Sequence, residues 1–213
     1  MRPIHERLSG RTAVITGGSG VLCSAMAKEL SRQGMKIAIV SRNADKAERA
    51  AGEIADAGGT AVSVPADVSA RDSLEKAKDE IISRFGSVNL LINGAGGNHA
   101  DAITANETYE EDEQSPSFFD MDETGFSSVF SSNFTGAFLA SQVFGKDLLK
   151  AERPAIINIS SMSAYTPMTK VPAYSAAKAA VQNFTMWMAV HFAKKRAAGE
   201  CHRSGFLFDC AKP

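Results

Sequence analysis

The chain reads TAVIT at Thr12–Thr16, GGSG at Gly17–Gly20 and VLCSAMAKELSR at Val21–Arg32. The first segment is short and rich in β-branched residues, which is typical of a strand, and the third has the amphipathic period of a helix. A strand therefore passes through a glycine turn directly into a helix. This order of elements predicts the α/β fold class.

The same alternation continues along the chain. Further strands are predicted at 36–40, 60–66, 88–93 and 155–160, with amphipathic segments between them. Strands that alternate with helices form parallel sheets, and the apolar runs Leu90–Ile92 and Ile156–Ile157 indicate strands that are buried on both faces. We therefore predict a Rossmann-type, doubly wound parallel sheet in a three-layer α/β/α arrangement.

Size and charge narrow the possible function classes. The chain has 213 residues, of which 44% are hydrophobic, and we expect one domain with a substantial core at residues 1–194. The 23 Lys and Arg residues are dispersed among 24 Asp and Glu residues, so no basic surface is predicted for nucleic acid or an anionic membrane. The expected partner is a small-molecule substrate.

No stretch predicts a membrane anchor, a signal peptide or a metal site. Apolar runs such as Ile37–Val40 are far shorter than the roughly 20 residues of a membrane helix, and Met1–Ser9 lacks the apolar core of a signal peptide. The expected location is therefore the cytoplasm. Cys23, Cys201 and Cys210 lack metal-ligand spacing, so neither zinc nor a disulfide is predicted.

Residues 97–121 break the strand–helix rhythm. The stretch is polar and acidic, and it contains Ser115-Pro116-Ser117. Its length and composition indicate a surface insertion. It is either a solvated loop or a segment that covers a functional site, and the sequence leaves both interpretations open.

The glycine turn has the character of an anion site. Exposed backbone N–H groups and the N-terminus of the following helix can receive a pyrophosphate. The candidate ligands of a dinucleotide are therefore Gly17, Gly18, Ser19, Gly20, Val21 and Leu22. Val21 and Cys23 stand where the usual fingerprint has two further glycines, so an ordinary tight turn remains an alternative.

Other strand ends supply further candidates, because ligands of open α/β sheets bind at the carboxyl ends of the strands. The residues at these ends are Arg42, Asp67, Val68, Asn93, Gly94, Ala95 and Gly96. Arg42 can pair with a 2′-phosphate, whereas an NAD site generally has a carboxylate at this position. This favours NADP over NAD, although a solvent-exposed arginine is the alternative interpretation.

A candidate catalytic pair lies in Tyr174-Ser175-Ala176-Ala177-Lys178. Tyr174 and Lys178 are one helical turn apart and share a face, and a nearby ammonium favours the ionised form of a phenol. Ser161 follows the predicted strand at 155–160 and supplies a hydroxyl that could hold a substrate oxygen beside the tyrosine. A surface Tyr–Lys pair is the alternative.

Together these motifs resemble the short-chain dehydrogenase/reductase family in order and spacing. The resemblance rests on the glycine turn, Asn93–Gly96, Asn133, Ser161 and the Tyr174–Lys178 pair, and it covers about residues 8–194. Within the family, the segments 20–23, 96–99 and 160–170 look like those of the D-mannonate oxidoreductase (fructuronate reductase) branch.

The resemblance implies an NAD(P)-dependent enzyme of carbohydrate metabolism that reduces a ketone or oxidises a secondary alcohol, with fructuronate or mannonate as the expected substrates. Hydride would pass to the carbonyl carbon while Tyr174 protonates the oxygen. Ser161 would orient the carbonyl, and Lys178 would bind the nicotinamide ribose. Asn133 would hold a water that connects Lys178 to solvent.

A sugar-acid carboxylate needs a cation, and Lys170 is the candidate, with Asn98 and His99 nearby in the loop. Lys170 could instead be a solvated loop charge. Two further alternatives stay open: a ketoreductase for another substrate, since pockets vary freely on one fold, and an inactive remnant that binds a dinucleotide.

The resemblance ends after Lys194. We predict that residues 195–213 lack the strand, Pro-Gly turn and lid of the family and are disordered. Codons compatible with the residues from Arg196 onward can be chosen so that reading them one base later encodes G-L-R-V-N-A-I-A-P-G-F-F. This result favours a frameshift. The predicted helices 126–150 and 174–194 resemble the dimer-forming helices of the family, so a homodimer is expected and a tetramer is in doubt.

Overall fold

The structure is a computed structural model that describes residues 5–111, 115–166 and 168–194. The tail at 195–213, to which the disorder and frameshift hypotheses apply, lies outside the described residues. Among the described residues, five parallel strands form one sheet with the order β3-β2-β1-β4-β5. The strands are β1 (Thr12–Thr16), β2 (Lys36–Ser41), β3 (Thr60–Pro65), β4 (Leu90–Asn93) and β5 (Ala155–Asn158).

Helices lie on both faces of the sheet. They are α1 (Val21–Arg32), α2 (Ala44–Asp56), α3 (Arg71–Phe85), α4 (Glu123–Phe130), α5 (Gly136–Leu148) and α6 (Pro172–His191). A π-helical turn at Ser131–Thr135 joins α4 to α5. In the described part of the chain, no helix has the length and apolar character to cross a membrane.

The core has two halves, one on each side of the sheet. Alternate residues of the central strand serve the two halves: Val14 packs with Phe144 and Leu148, whereas Ile15 packs with Ala27 and the α2 side chains. All of β1 is buried, as the doubly wound arrangement requires. The predicted Rossmann-type α/β sandwich is therefore confirmed.

Several predicted boundaries were wrong. β4 begins at Leu90 rather than Val88, and the side chain of Asn89, directly before the strand, accepts a hydrogen bond from the Thr12 amide (3.0 Å). β5 ends at Asn158, before the predicted Ser160. The helix predicted at 126–150 begins at Glu123, where the carboxylate of Asp122 accepts a hydrogen bond from Gly125 N (2.7 Å).

The helix that carries Tyr174 also differs from its prediction. It begins at Pro172 rather than Tyr174, since proline suits the first helical position, and it ends at His191 rather than Lys194. β3 stops at Pro65, one residue before its predicted end, and β2 continues to Ser41. These shifts leave the order of the elements unchanged.

The insertion at 97–121 is anchored to the helical layer. The amide of Asp122 donates to Asp101 O (3.1 Å), and the amide of Thr104 donates to Lys170 O (3.0 Å) in the loop before α6. A Cβ on Gly125 would lie 3.0 Å from the side chain of Asp101, so the insertion and α4 approach closely. The predicted surface insertion therefore borders the segment that precedes Tyr174.

Candidate active site

The turn after β1 is shaped by the close approach of two main chains. Gly17 has φ +65°, and a Cβ there would lie 2.8 Å from main-chain atoms of Gly94 and Ala95. A Cβ on Gly18 would lie 2.8 Å from the carbonyl oxygen of Ile15. Only glycines fit at these two positions, and Gly17 brings the turn after β1 against the turn after β4.

Helix α1 starts at this turn with its first amides open. Gly20 is the N-cap, its first turn holds no acidic residue, and Val21 and Leu22 are 88% and 69% exposed. The first N–H groups of a helix have no acceptor within the helix, and the helix dipole adds partial positive charge. The glycine cradle and the open helix end therefore fit a pyrophosphate.

A cavity of about 710 Å³ lies at the carboxyl ends of the strands. Its walls include eleven of the predicted residues, namely Gly17, Ser19, Gly20, Arg42, Asp67, Val68, Gly94, Ala95, Gly96, Asn98 and His99. The strand order reverses between β1 and β4, and ligands of doubly wound sheets bind at such a point. The walls described for the cavity do not include Ser161, Lys170, Tyr174 or Lys178.

The end of the cavity beside β2 is cationic. Arg42 and Lys46 both line it, and the hydroxyls of Ser19 and Ser41 lie 2.8 Å apart between the first turn and the end of β2. Lys46 was not predicted as a site residue, although its place at the start of the helix after β2 can be read from the sequence. Ser41, Arg42 and Asn43 occupy the end of β2, where an NAD site generally has a carboxylate.

Asp67 faces this cation group from the end of β3. Hydrogen bonds from the Ser69 hydroxyl (2.6 Å) and the Ser69 amide (2.9 Å), with the charge of Arg42, hold the pKa of Asp67 below its usual value, against the opposing effect of burial. Its carboxylate is therefore ionised at neutral pH and accepts hydrogen bonds.

Ser161 lies three residues after the end of β5 and caps a short 3₁₀ turn, Met162–Ala164. Its hydroxyl oxygen accepts a hydrogen bond from Ser163 N (3.2 Å), which fixes the side chain at the strand end. Tyr174 and Lys178 lie on α6, and the Lys178 Nζ is 5.6 Å from the centre of the Tyr174 ring. Tyr174 also packs against the small apolar cluster of Ala102, Val129 and Ala173.

Lys178 is buried, with 5% of the residue exposed, and its Nζ donates to Ile159 O at 2.8 Å. Burial lowers the pKa of this amine to about 8, while the nearby Cys23 acts in the opposite direction. The carbonyl that holds the amine comes two residues before Ser161. The lysine and the serine are therefore fixed by the same strand end.

Asn133 lies in the π-helical turn and is 1% exposed. Its Nδ2 donates to Val129 O (2.8 Å) and to Gly97 O (2.7 Å), so it ties the π turn to the loop after β4. Its Oδ1 has no hydrogen-bond partner among the described residues, and a Cβ on Gly96 would lie 2.3 Å from that atom. The periodicity of the sequence gave no signal for the π turn.

A buried polar network, which the sequence analysis missed, joins β4, β5 and two helices. The Nδ2 of Asn93 donates to Asn158 Oδ1 (2.8 Å) and to Ser141 Oγ (3.0 Å). The Nδ2 of Asn158 donates to Thr185 Oγ1 (2.7 Å), whose hydroxyl donates to Val181 O (2.6 Å). The side chain of Asn93 thus serves this network. Polar residues on otherwise apolar segments were the available signal.

Of the three predicted substrate residues in the loops, two line the cavity and the third is not among the residues of its walls. Asn98 and His99 line the cavity, and His99 Nδ1 accepts a hydrogen bond from Asp101 N (3.4 Å). Lys170 is exposed and has φ +67°, a conformation that is uncommon outside glycine. Its carbonyl accepts the Thr104 amide, so the insertion holds this residue. In the described residues, no cluster of His, Cys, Asp or Glu is arranged for a metal.

The profile of the short chain dehydrogenase family matches residues 11–201. The chain belongs to this family. It is therefore an oxidoreductase with an NAD-binding Rossmann fold, and the resemblance inferred from the motifs is confirmed.

Three relatives show where the similarity lies. An uncharacterised oxidoreductase, UxuB, of Bacillus subtilis (strain 168) is 71% identical over 194 residues, which are 91% of this chain and 70% of the relative. An uncharacterised oxidoreductase of Haemophilus influenzae (strain Rd) is 42% identical over 205 residues, which are 95% of this chain and 72% of the relative.

The third relative is a crystal structure from Haemophilus influenza, provisionally named a D-mannonate oxidoreductase, with bound NAD. It is 44% identical and superimposes with a TM-score of 0.86, covering 88% of this chain and 68% of the other. This similarity agrees with the branch of the family that the motifs indicated.

Thr185→Val tests the buried network. The change removes the acceptor of Asn158 Nδ2 at nearly constant volume, and an unsatisfied buried donor costs about 1–3 kcal/mol. We expect that loss in the free energy of unfolding measured by urea titration. Thr185→Ser keeps the hydroxyl and is the matched control. Equal losses in the two variants would contradict the network.

Lys178→Met tests the burial of the amine. The folded pKa of about 8 lies below that of an unfolded lysine, so between these values the unfolded chain binds more protons and stability rises with pH. We expect the free energy of unfolding of the wild type, relative to Lys178→Met, to increase from pH 8 to pH 10 by on the order of 2 kcal/mol. Urea titrations at several pH values measure it, and a constant difference would refute the burial.

Proposed function

We propose that the chain is an NAD(P)-dependent oxidoreductase that interconverts a ketone and a secondary alcohol of a sugar acid such as fructuronate or mannonate. One observation carries the proposal: the buried amine of Lys178, one helical turn from Tyr174, donates to the carbonyl of Ile159. That carbonyl follows the last residue of β5 and comes two residues before Ser161. A phenol that can donate its proton, a hydroxyl and a cation near one strand end suit proton transfer to a carbonyl oxygen.

The residues at the strand ends fit a dinucleotide. The glycine cradle and the open amides of α1 would hold the pyrophosphate, and Asp67 and Val68 would lie along the cavity wall. Arg42 and Lys46, with Ser19 and Ser41, would meet a 2′-phosphate, which supports NADP. The NAD in the related structure supports the alternative.

The proposed chemistry divides between the cofactor and the chain. Bound NAD(P)H supplies the hydride for the carbonyl carbon. Tyr174 gives its phenolic proton to the carbonyl oxygen, while the hydroxyl of Ser161 donates a hydrogen bond that orients the same oxygen. The ammonium of Lys178 would stabilise the negative charge left on the Tyr174 oxygen and would bind the ribose hydroxyls. Asn133 would hold a water on the path from Lys178 to solvent.

The loops suit an acidic, polyhydroxylated substrate. Lys170 carries a cation in the loop before α6, and its main chain is fixed by Thr104. Asn98 and His99 line the cavity on the same side as Gly96 and Gly97. A carboxylate paired with Lys170 and hydroxyls facing Asn98 and His99 would explain these residue types.

An aromatic ladder supports a homodimer. Phe126, Phe130, Phe134 and Phe138 follow one another on α4, the π turn and α5, with ring centroids 5.7–6.5 Å apart. Phe184 of α6 contacts Phe134 and Phe138 and stacks on Trp187, which is 54% exposed. In homodimers whose subunits are related by a two-fold axis, apolar helix faces of this kind are buried between the two subunits.

Oxidation of NADPH and NADH in the presence of fructuronate, tagaturonate and unrelated ketones tests the proposed reaction. We expect turnover with the uronates, a loss of at least about 100-fold in kcat for Tyr174→Phe, and a rise in KM for uronates alone in Lys170→Ala.

The comparator for the tail is a chain whose residues from Arg196 onward are translated in the shifted frame. Cofactor binding without turnover in both chains would favour the non-catalytic remnant, and turnover of other ketones would favour another substrate.

Arg42→Ala tests the cofactor preference. Loss of one charge-assisted contact to a 2′-phosphate should weaken NADPH binding by about 10-fold or more, while NADH affinity stays within about two-fold. Fluorescence titration measures both. Arg84→Ala, on the exposed end of α3, is the control cation. An unchanged NADPH affinity would remove the argument for NADP.

Val190→Glu tests the dimer. Val190 is 78% exposed on α6, the helix whose Phe184 packs against the aromatic ladder, and a charge there should dissociate the dimer. Sedimentation analysis should show a dimeric wild type and a monomeric variant. Phe119→Glu, equally exposed but on the insertion, should remain dimeric. A monomeric wild type would contradict the proposal.

A further inference from the structure

Cys23 occupies an unusual position. It lies in the first turn of α1, where the usual glycine fingerprint has a glycine, and it is 4% exposed. The third glycine of that fingerprint allows close packing of helix on strand, and here a thiol takes its space. The thiol therefore needs room on the opposite wall.

Gly94 supplies that room. A Cβ on Gly94 would lie 2.1 Å from the Cys23 Sγ, a distance at which two atoms cannot coexist. The same Cβ would lie 3.6 Å from Cγ1 of Ile159. The sulfur thus fills the volume that a side chain on Gly94 would take, and the two residues are complementary in size.

This contact adjoins the buried amine of Lys178. The side chain of Ile159 borders the space beside Gly94 that the sulfur fills, and the carbonyl of Ile159 accepts the hydrogen bond from Lys178 Nζ at 2.8 Å. The thiol and the amine also act on each other's charge: burial raises the pKa of Cys23, and the ammonium of Lys178 opposes that rise. The sulfur and Gly94 therefore pack beside the residue whose carbonyl holds the amine.

We propose that Cys23, fitted against Gly94, is a positioning residue for Lys178 that excludes water from the amine and keeps it on the Ile159 carbonyl. Bulk water would compete with that carbonyl for the ammonium and would allow the flexible lysine side chain to leave it. The inference rests on the proposed role of Lys178. It adds that the turn which receives the pyrophosphate also sets the surroundings of the catalytic lysine.

The test measures the amine directly and needs no turnover. Protein labelled with ¹³C-lysine is titrated by NMR through the Cε resonance of Lys178, which Lys178→Arg assigns by its absence. The titratable groups that face the amine are Cys23 from α1 and Tyr174 from its own helix. The variants are Cys23→Ala, Cys23→Ser, Gly94→Ala and the double variant Cys23→Ala/Gly94→Ala.

Cys23→Ala opens space that water can enter, so the pKa of Lys178 should rise towards that of free lysine by at least about half a unit. Cys23→Ser fills the space without an ionisable thiol, so its Lys178 pKa should stay near the wild-type value. The double variant returns a methyl group to nearly the same place, so its pKa should fall back as well.

The free energy of unfolding provides a second test of the contact between Cys23 and Gly94. Gly94→Ala should destabilise the wild type strongly and Cys23→Ala only slightly, with a non-additive recovery in the double variant. The proposal is overturned if Cys23→Ala leaves the pKa of Lys178 unchanged, or if Cys23→Ala and Cys23→Ser both lower it, since the thiol would then act through its charge. Absence of hydride transfer would affect the proposed function and not this result.

Discussion

The candidate site depends on the main-chain contact between the turns after β1 and β4. The hydroxyl of Thr16 accepts hydrogen bonds from Gly94 N (3.2 Å) and Ala95 N (3.3 Å), and Gly17 lies against the same two residues. A side chain at Gly17 would separate the turns. This contact places the open N-terminus of α1, the cavity and the end of β4 within one small region.

Two polar devices fix the rest of the site to this contact. Asn133 clamps the π turn onto Gly97, and the Asn93–Asn158–Thr185 chain ties α6 to β4 and β5. The helix that carries Tyr174 and Lys178 is hydrogen-bonded to the sheet through buried groups, in addition to its apolar contacts. These hydrogen bonds fix the orientation of the helix about its own axis. Sites built on rigid elements with supporting hydrogen bonds hold their geometry best.

The sequence allowed the fold and the main groups of the site to be predicted where the signal was local. Strand periodicity, the glycine turn and the spacing of Tyr174 and Lys178 each depend on neighbours in sequence. The partners of Asn93 and the fit of Cys23 on Gly94 could not be predicted, because each joins segments that are distant in sequence. The π turn is local, but the apolar periodicity of α4 and α5 gave no signal for it. Lys46 can be read from the sequence, but only the structure shows that it lines the cavity.

The most direct test of this account is a crystal structure of the chain with NADH or NADPH. The account predicts the pyrophosphate on the amides that follow Gly18, the adenosine end beside Arg42 and Asp67, and the nicotinamide ribose within hydrogen-bond distance of Lys178. A dinucleotide bound elsewhere, or one whose ribose lies far from Lys178, would contradict the assignment of the glycine turn and the Tyr174–Lys178 pair to one site.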